Sequence, residues 1–163
     1  LTNESLEWDG IEACIENVVQ KYQFPNVQLG LEITEQDALS SSIDITKKIE
    51  ALKAKGHRFL IDDFGMGHTS LVYLQTKYFN IVKLDGSLTR DVIHNETNRD
   101  IIASIVYLGR SLKFKIIAEY VENEAQRDEL KKLGCDAFQG YLYSKPIKLD
   151  ELMSWIKGSG HES

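Results

Sequence analysis

Five short apolar segments of this chain each lead into side chains that can bind a cation, carry a positive charge or donate a hydrogen bond. In chain order these side chains are Glu32 with Glu35, Asp62 with Asp63, Lys83 with Asp85, Glu119 with Glu122, and Gln139. Carboxylates are hard oxygen ligands that suit Mg²⁺ or Mn²⁺ rather than soft metals. Side chains of this kind, brought together, would form a divalent-metal site.

The chemistry that fits such a site is phosphoryl transfer. Glu32 and Asp62 could share one cation, while Asp63 could hold a second cation or bridge both. Two cations about 4 Å apart stabilise the attacking and leaving oxygens and lower the pKa of bound water. Lys83 would orient that water or offset charge on the phosphate, and the uncharged Gln139 suits a ligand-fixing amide.

Each of these residues also has a structural interpretation. A single acid at a strand end is often a helix cap or a solvated residue, and Asp62-Asp63 alone could cap the next loop. Lys83 alone could lie at the surface. Glu35 and Glu122 each lie three residues past a first acid, so we expect them to brace loops. Five such positions on successive strands favour a shared site over these separate roles.

Helix-length segments with a 3.6-residue apolar period separate the five apolar segments. A strand, an acid and then a helix make the βα unit of a parallel α/β fold, whose strand ends converge on one face where ligands bind. The predicted strands end near Glu32, Asp62, Leu84, Ala118 and Ala137. This arrangement would place all five sets of polar side chains on the same face.

The helix boundaries follow from capping residues and apolar spacing. Gly56 would end one helix at its C′ position, and two capping boxes, Thr97 with Asp100 and Asn123 with Gln126, would open two more. The predicted apolar faces are Ile11, Cys14, Ile15, Val18, Val19 and Tyr22 in the first helix, and Ile101, Ile105, Leu108 and Leu112 in the helix after Thr97. Shorter helices are predicted over 70–74 and 149–156.

The number of strands leaves two architectures open. A chain of 163 residues is long enough for one domain with a real core. A closed (β/α)₈ barrel needs eight strands and typically about 250 residues, whereas about five strands are predicted here. The chain is therefore either an open doubly wound sheet or the C-terminal part of a barrel that lacks its first strands.

Composition narrows the partners and the compartment. The net charge is −6 and no basic cluster occurs, which argues against duplex nucleic acid or an anionic membrane surface as a partner. No stretch is long and apolar enough to span a membrane, and the chain opens without a secretion signal, so we expect a cytoplasmic domain. Cys14 and Cys135 are predicted to be two reduced, buried thiols.

With these residues in place, the chain resembles the EAL-domain family of cyclic-di-GMP phosphodiesterases. Five motifs carry the resemblance, and they span nearly the whole chain. In order they are Leu31-Glu32-Ile33-Thr34-Glu35, Asp62-Asp63-Phe64-Gly65-Met66-Gly67-His68-Thr69-Ser70-Leu71, Lys83-Leu84-Asp85, Ala118-Glu119-Tyr120-Val121-Glu122, and Gln139-Gly140-Tyr141 with Pro146. The second is close to the family's Asp-Asp-Phe-Gly-Thr-Gly-Tyr-Ser-Ser-Leu signature, which is highly specific.

The resemblance implies a TIM-like (β/α) barrel of the EAL type over residues 1–157, incomplete because it lacks the first strands, followed by a frayed polar tail over 158–163. It also implies hydrolysis of one phosphodiester bond of cyclic di-GMP to linear pGpG with two Mg²⁺ or Mn²⁺ ions. By motif, Glu32, Asp62, Asp63 and Glu119 would be metal or metal-shell ligands, and catalysis would involve Lys83, acting on the attacking water, with Glu119 and Asp63. Support of the site or the substrate would come from Gln139, Glu35, Glu122 and Asp85, with Glu35 steadying the loop after Asp63.

This chain departs from the family in two places. The family's opening Glu-Ala-Leu motif and its following Asn do not occur, so we expect weak or no activity from this segment alone. Tyr120 stands beside Glu119 where the family has glycine. An inactive cyclic-di-GMP receptor or protein-interaction module therefore remains the alternative. In the family the loop after Asp63 takes part in dimer formation, so we expect a homodimer.

Overall fold

The computed structural model describes residues 1–22, 30–39, 42–65, 78–148 and 151–152. Its centre is a sheet of five parallel strands. The strands are β1 (Gly30–Thr34), β2 (Arg58–Phe64), β3 (Ile81–Leu84), β4 (Lys115–Ala118) and β5 (Ala137–Phe138). All five predicted strands are confirmed, although β1 and β2 each continue two residues further than expected, and Phe64 belongs to β2 rather than to a loop.

The order of the strands decides between the two architectures. Each strand pairs with the one before it in the chain, in the order β1-β2-β3-β4-β5. A doubly wound sheet reverses its strand order at a switch point, whereas a barrel adds every new strand on the same side. The described sheet is therefore part of a (β/α) barrel.

Seven helices of four residues or more accompany this sheet in the described part of the chain. They are α1 (Asn3–Glu7), α2 (Ile11–Tyr22), α3 (Glu35–Leu39), α4 (Ile43–Ala54), α5 (Gly86–Thr89), α6 (Glu96–Leu112) and α7 (Glu124–Leu133). Helices α3 and α4 connect β1 to β2, α5 and α6 connect β3 to β4, and α7 connects β4 to β5. The predictions for Pro25, for residues 66–77 and for nearly all of the last helix lie outside the described residues.

The core fills the space between the sheet and its helices. One face of the strands is apolar and belongs to the same core cluster as the helices, whereas the other face carries Glu32, Asp62 and Lys83. Fully buried strand residues are Ile33, Phe59, Ile61, Phe64, Val82, Leu84, Ile116 and Ala118. The helices add Ile45, Ile49, Leu52, Ile102 and Leu130. This packing holds the C-terminal ends of the strands at fixed positions relative to one another.

Two of the predicted helix ends are confirmed. Asn123 and Gln126 form a reciprocal capping box at the start of α7, with Gln126 accepting hydrogen bonds and the Asn123 side chain accepting one from the Gln126 amide. Gly56 follows α4 with φ 94°, a left-handed conformation that glycine adopts without a steric penalty. These ends depend on a few adjacent residues, which explains why sequence predicts them.

The start of α6 was predicted wrongly, and its apolar face was predicted correctly only for Ile105 and Leu108. The Asn95 side chain, rather than Thr97, accepts a hydrogen bond from the Asn98 amide, and the helix begins at Glu96. Its buried residues are Ile102, Ile105, Val106 and Gly109, whereas Ile101 and Leu112 are 40% and 41% exposed. Apolar residues occur on more than one side of this helix, so contact with the sheet decides which side is buried.

The prediction of two buried thiols is correct for Cys135 and wrong for Cys14. Cys135 is buried directly after α7, whereas Cys14 on α2 is exposed. Of the predicted apolar face of α2, Ile11 and Ile15 are buried but Val18 is 44% exposed. Packing against the other described residues buries only part of this face of α2, and Cys14 lies outside the buried part. Within the described residues, no helix has the length and apolarity needed to cross a membrane.

Candidate metal centre

Lys83 lies at the centre of the predicted site and is almost fully buried. Its side chain, in the middle of β3, is 4% exposed. The ammonium nitrogen lies 3.0 Å from Glu32 Oε1 on β1, 2.9 Å from Asp62 Oδ1 on β2 and 2.7 Å from Glu119 Oε1 just after β4. Four neighbouring strands therefore bring these four charged groups together, as expected, and the interpretation of Lys83 as a surface residue is wrong.

The three carboxylates keep the lysine charged. Burial alone lowers the pKa of Lys83, but hydrogen bonds to Glu119, Asp62 and Glu32 outweigh burial and raise it above its usual value. Such a lysine stays protonated at any physiological pH. It can donate hydrogen bonds and supply positive charge, but it cannot accept a proton from water.

A bulge in β2 directs two adjacent acids into the site. Successive side chains of a regular strand point to opposite faces, so Asp62 and Asp63 would normally diverge. The pairing of β2 with β3 shifts between Ile61 and Phe64, and Asp63 has φ 54°. An extra residue and a left-handed conformation at this point bend the strand and re-aim its side chains.

Asp62, Asp63 and Glu119 form a set of carboxylates that fits a divalent cation. Each offers one oxygen, and the three oxygens lie within 4.8 Å of one another. Burial raises the pKa of Glu119, and the charges of Asp62 and Glu32 raise it further against the opposing effect of Lys83. The raised pKa reflects repulsion between neighbouring carboxylates, which a bound cation would relieve. Glu32 contacts Lys83 but is not part of this three-residue set.

Asp63 also carries an altered proton affinity. Burial raises the pKa of Asp63, and the negative charges of Asp62, Asp85 and Glu32 raise it further, while Lys83 lowers it. Asp63 remains exposed on the cavity side. It is therefore a carboxylate with more than ordinary basicity that is open to solvent or ligand.

A cavity of about 420 Å³ opens beside these acids. Its lining residues come from β2 and from the segments after α5, β4 and β5, and they are Asp62, Asp63, Arg90, Glu119, Tyr120, Glu122, Gln139, Gly140 and Tyr141. The predicted site residues Gln139 and Glu122 thus reach the same cavity as the three-carboxylate set. A volume of this size is within the range of small-molecule sites.

The backbone around Gln139 explains how it reaches the cavity. The Gln139 amide donates to the Ala118 carbonyl at 2.8 Å, and its carbonyl accepts from the Val121 amide at 3.1 Å. A Cβ on Gly140 would lie 2.2 Å from the Val121 carbonyl oxygen, so any side chain at this position would prevent the close approach. These contacts join the ends of β4 and β5.

The remaining predicted residues support backbone rather than lining the three-carboxylate set. Glu35 is buried, and one of its oxygens accepts a long hydrogen bond, 3.5 Å, from the amide of Gly65 at the start of the loop after β2. Asp85 caps α5 by accepting from the Ser87 amide at 2.7 Å. Burial alone would raise the pKa of Asp85, but hydrogen bonds from Ser87 and Gly86 lower it.

Arg90 is a cavity residue that the sequence did not indicate. It lies just after α5, and its guanidinium carbon is 4.0 Å from the centroid of the Tyr120 ring. No spacing or motif marks Arg90, because its place in the cavity depends on how α5 packs against the segment after β4. The departure at Tyr120, by contrast, was visible in the sequence.

Comparison with known proteins identifies the class to which this fold and site belong. The EAL domain family matches residues 1–146, which is most of the chain. The chain therefore belongs to the EAL domain family. Its partial barrel agrees with the fold of solved structures from this family.

Several relatives in this family have assigned activities. Cyclic di-GMP phosphodiesterase PdeF of Escherichia coli is 36% identical over 143 residues, which is 88% of this chain and 19% of PdeF. Cyclic di-GMP phosphodiesterase PdeA of Borreliella burgdorferi is 36% identical over 142 residues, 87% of this chain and 21% of PdeA. The chain thus spans about a fifth of the length of these curated relatives.

Solved structures give the same result for the fold. The PaMucR phosphodiesterase in its c-di-GMP complex has a TM-score of 0.81 and 34% identity, over 93% of this chain and 62% of that chain. BlrP1 of Klebsiella pneumoniae, in a manganese/cy-diGMP complex, has a TM-score of 0.80 and 28% identity, over 90% of this chain and 38% of that chain. BlrP1 has also been solved as a calcium/cy-diGMP complex.

Proposed function

We propose that the domain to which this chain belongs carries out the divalent-metal-dependent hydrolysis of cyclic di-GMP to linear pGpG, with two Mg²⁺ or Mn²⁺ ions. The observation that carries the proposal is the set of Asp62, Asp63 and Glu119 oxygens within 4.8 Å of one another, beside a lysine paired with two of them. Relatives with this domain act on cyclic di-GMP. The cavity beside the acids offers room for part of such a ligand.

The reaction exchanges one phosphorus–oxygen bond for another. A water oxygen bonds to phosphorus, the bond from phosphorus to one ribose oxygen breaks, the water loses a proton and the ribose oxygen gains one. Divalent cations held by Asp62, Asp63 and Glu119, with Glu32 nearby, would lower the pKa of the water and offset charge on the phosphoryl oxygens.

The protein side chains divide the remaining work according to their proton affinity. Lys83 stays protonated, so it orients the water or the phosphate and offsets developing negative charge, rather than acting as a base. Without a bound cation, burial and the neighbouring carboxylates raise the pKa values of Asp63 and Glu119. A divalent cation held by these carboxylates would offset that repulsion, so their part in catalysis would be to hold the cation that activates the water.

The other predicted residues hold this machinery in place. Gln139 and Glu122 face the same cavity and would contact the ligand or its bound water. Glu35 steadies the start of the loop after Asp63 through Gly65. We further propose a homodimer formed through that loop, whose residues 66–77 lie outside the described part of the chain.

Turnover of cyclic di-GMP in Mn²⁺, followed by chromatography of pGpG, tests the proposal. The assay uses the 163-residue chain and any longer natural polypeptide that contains it. Asp62→Asn keeps the size of the side chain but removes a charge, so we expect turnover to fall about a hundredfold or more. Asp44→Asn, at an exposed position of α4, is the matched control. Absence of turnover by every metal-loaded preparation would exclude the proposed hydrolysis.

A second candidate function follows from Tyr120. Its ring lines the cavity directly beside Glu119, so it occupies space that a ligand or water could otherwise use. A protein of this kind could bind cyclic di-GMP without cleaving it. Calorimetric titration in Ca²⁺ beside product chromatography in Mn²⁺ separates the two functions, because a receptor releases heat on binding but yields no pGpG.

A further inference from the structure

Arg90 presents a positive charge without a hydrogen-bonded acid partner among the described residues to a cavity whose other charged lining residues are acidic. Its backbone amide donates to the Gly86 carbonyl and its carbonyl accepts from Gln126, which ties the backbone in place. Its guanidinium, by contrast, makes no hydrogen bond or ion pair with any described residue; it contacts the Tyr120 ring, and its charge helps to lower the pKa of Asp85. Lys83, also at this end of the sheet, is already paired with three carboxylates.

The segment that carries Tyr120 is built around this contact. Tyr120 has φ 54°, a left-handed conformation that is unfavourable for an aromatic residue and persists only where the surroundings impose it. The buried Thr89 hydroxyl donates to the Glu119 carbonyl at 2.5 Å, immediately before Tyr120. A Cβ on Gly86 would lie 2.4 Å from Tyr120 Cδ2, so α5 leaves room for the ring only because residue 86 is glycine.

A guanidinium held against an aromatic face is well prepared to bind an anion. The stacking contact orients the plane of the guanidinium but does not consume its N–H groups, which remain free in that plane. Two parallel N–H groups match two oxygens of a phosphate. The Tyr120 ring is 45% exposed, so the pair lies where a ligand in the cavity can reach it.

We propose that Arg90 binds a phosphate group of the cyclic dinucleotide at the wall of this cavity, and that Tyr120 is a positioning residue that holds the guanidinium there. The inference rests on the proposed function for the identity of the ligand. It adds a recognition element that involves none of the carboxylates around Lys83. The EAL-domain family has glycine at the position of Tyr120. The Arg90–Tyr120 pair is therefore a feature of this chain rather than of the family pattern.

Equilibrium binding tests the proposal without relying on turnover. Cyclic di-GMP is titrated in Ca²⁺ into the chain and its variants by calorimetry, at several salt concentrations. For Arg90→Gln we expect the Kd to rise about tenfold and to depend less on salt, because a charge-assisted contact to phosphate is lost. Arg90→Lys keeps the salt dependence but loses several-fold in affinity, since an ammonium lacks the planar fork.

Tyr120 variants test positioning as distinct from folding. Glycine is the residue best suited to φ 54°, so Tyr120→Gly should not lower the thermal midpoint, yet we expect the Kd to rise about threefold or more. Tyr120→Phe keeps the ring and should lose less affinity than Tyr120→Gly. If Tyr120→Gly binds cyclic di-GMP with the affinity of the wild type, Tyr120 does not position the Arg90 guanidinium.

The outcomes separate this inference from the proposed hydrolysis. The matched control is Arg110→Gln, which removes a guanidinium from α6 at the opposite end of the sheet and should leave the Kd unchanged. A Kd for Arg90→Gln within threefold of wild type, or a larger loss with an unaltered salt dependence, overturns the phosphate contact. If the chain binds cyclic di-GMP without cleaving it, the proposed hydrolysis is refuted, and the Kd values of the variants relative to wild type still test the Arg90 contact. If the chain does not bind cyclic di-GMP, the hydrolysis and the Arg90 contact are both refuted.

Discussion

At the scale of single residues, the balance of charge around Lys83 is the property that most affects chemistry. One ammonium contacts three carboxylates, so the group of four carries two net negative charges. A divalent cation matches that excess, and Asp63 nearby adds a further negative charge. The lysine therefore reduces the repulsion between the acids without neutralising it, and the site keeps an affinity for cations.

Removal of the Lys83 charge should destabilise the fold when no divalent cation is present. For Lys83→Met in chelator we expect the free energy of unfolding to fall by about 2 kcal/mol, less than for a fully buried pair because Glu32 and Asp62 remain partly exposed. The loss should shrink in acid, where the carboxylates become protonated. Urea unfolding measures it, with Lys47→Met on exposed α4 as control. Equal unfolding midpoints for Lys83→Met and wild type would contradict this expectation.

Cys135 gives the folded protein a pH dependence of its own. Burial raises the pKa of the Cys135 thiol to about 12, with the Asp136 charge adding to the effect. The unfolded chain releases this proton near pH 8.5, so the folded state binds more protons above that pH and loses stability as pH rises, by about 1.4 kcal/mol per pH unit. Below pH 8.5 the contribution is complete.

Cys135→Ala should remove this alkaline decline relative to the wild type. Urea unfolding between pH 8 and 10 measures the difference in slope, and Cys14→Ala is the matched control because Cys14 is exposed. A thiol reagent should likewise modify Cys14 rapidly and Cys135 only after unfolding. Rapid modification of both thiols in the folded chain would show that Cys135 is not protected.

At the scale of elements, two local features place the site side chains. The bulge in β2 allows both Asp62 and Asp63 to serve the site, which a regular strand would prevent. The short helix α5 holds the segment after β4 through Thr89 and positions Arg90 at the cavity. Neither element is long, and each depends on pairing or packing with a neighbour that is distant in sequence.

The start of α6 allows a direct test of its capping residue. Asn95→Ala removes the oxygen that accepts from the Asn98 amide, and we expect a loss of about 1 kcal/mol in the free energy of unfolding. Thr97→Ala, at the residue that the sequence pattern suggested, should change stability by a few tenths of a kcal/mol at most. Chemical unfolding of the two variants measures the contrast, and the reverse ranking would place the cap at Thr97.

At the scale of the whole molecule, strand order gathers the polar site residues at the C-terminal end of the sheet. Five parallel strands in chain order bring the segments after β1, β2, β4 and β5 to one edge. The N-terminal edge carries a separate cavity lined by Arg110, Lys113 and Lys115 among others. Among the described residues, a mainly acidic cavity and a mainly basic cavity thus lie at opposite ends of the same sheet.

Divalent cations should stabilise the whole fold through the acidic end. At a Mn²⁺ concentration 100 times its Kd, binding adds about 2.7 kcal/mol to the free energy of unfolding. We expect the thermal midpoint to rise with Mn²⁺ in the wild type and in Asp44→Asn, and to rise much less in Asp62→Asn. An equal rise in all three proteins would place the bound cation elsewhere.

The sequence by itself indicated several polar residues that the fold brings to one end of the sheet, and the order in which their elements occur. Glu32, Asp62, Lys83, Glu119 and Gln139 follow apolar segments, and strand periodicity depends on neighbouring residues alone. The capping box of α7 and the turn at Gly56 are predictable for the same reason. The family resemblance also resolved the architecture that a strand count left open, and the strand order agrees with it.

Tertiary structure alone decided how these residues meet. It set the bulge that turns Asp63 into the site, the side of α6 that is buried, the exposure of Cys14 and the pairing of Arg90 with Tyr120. Each depends on the rotation or offset of one element against another that is far away in the chain. Residue spacing within one element carries no information about that rotation, so only contacts between elements determine it.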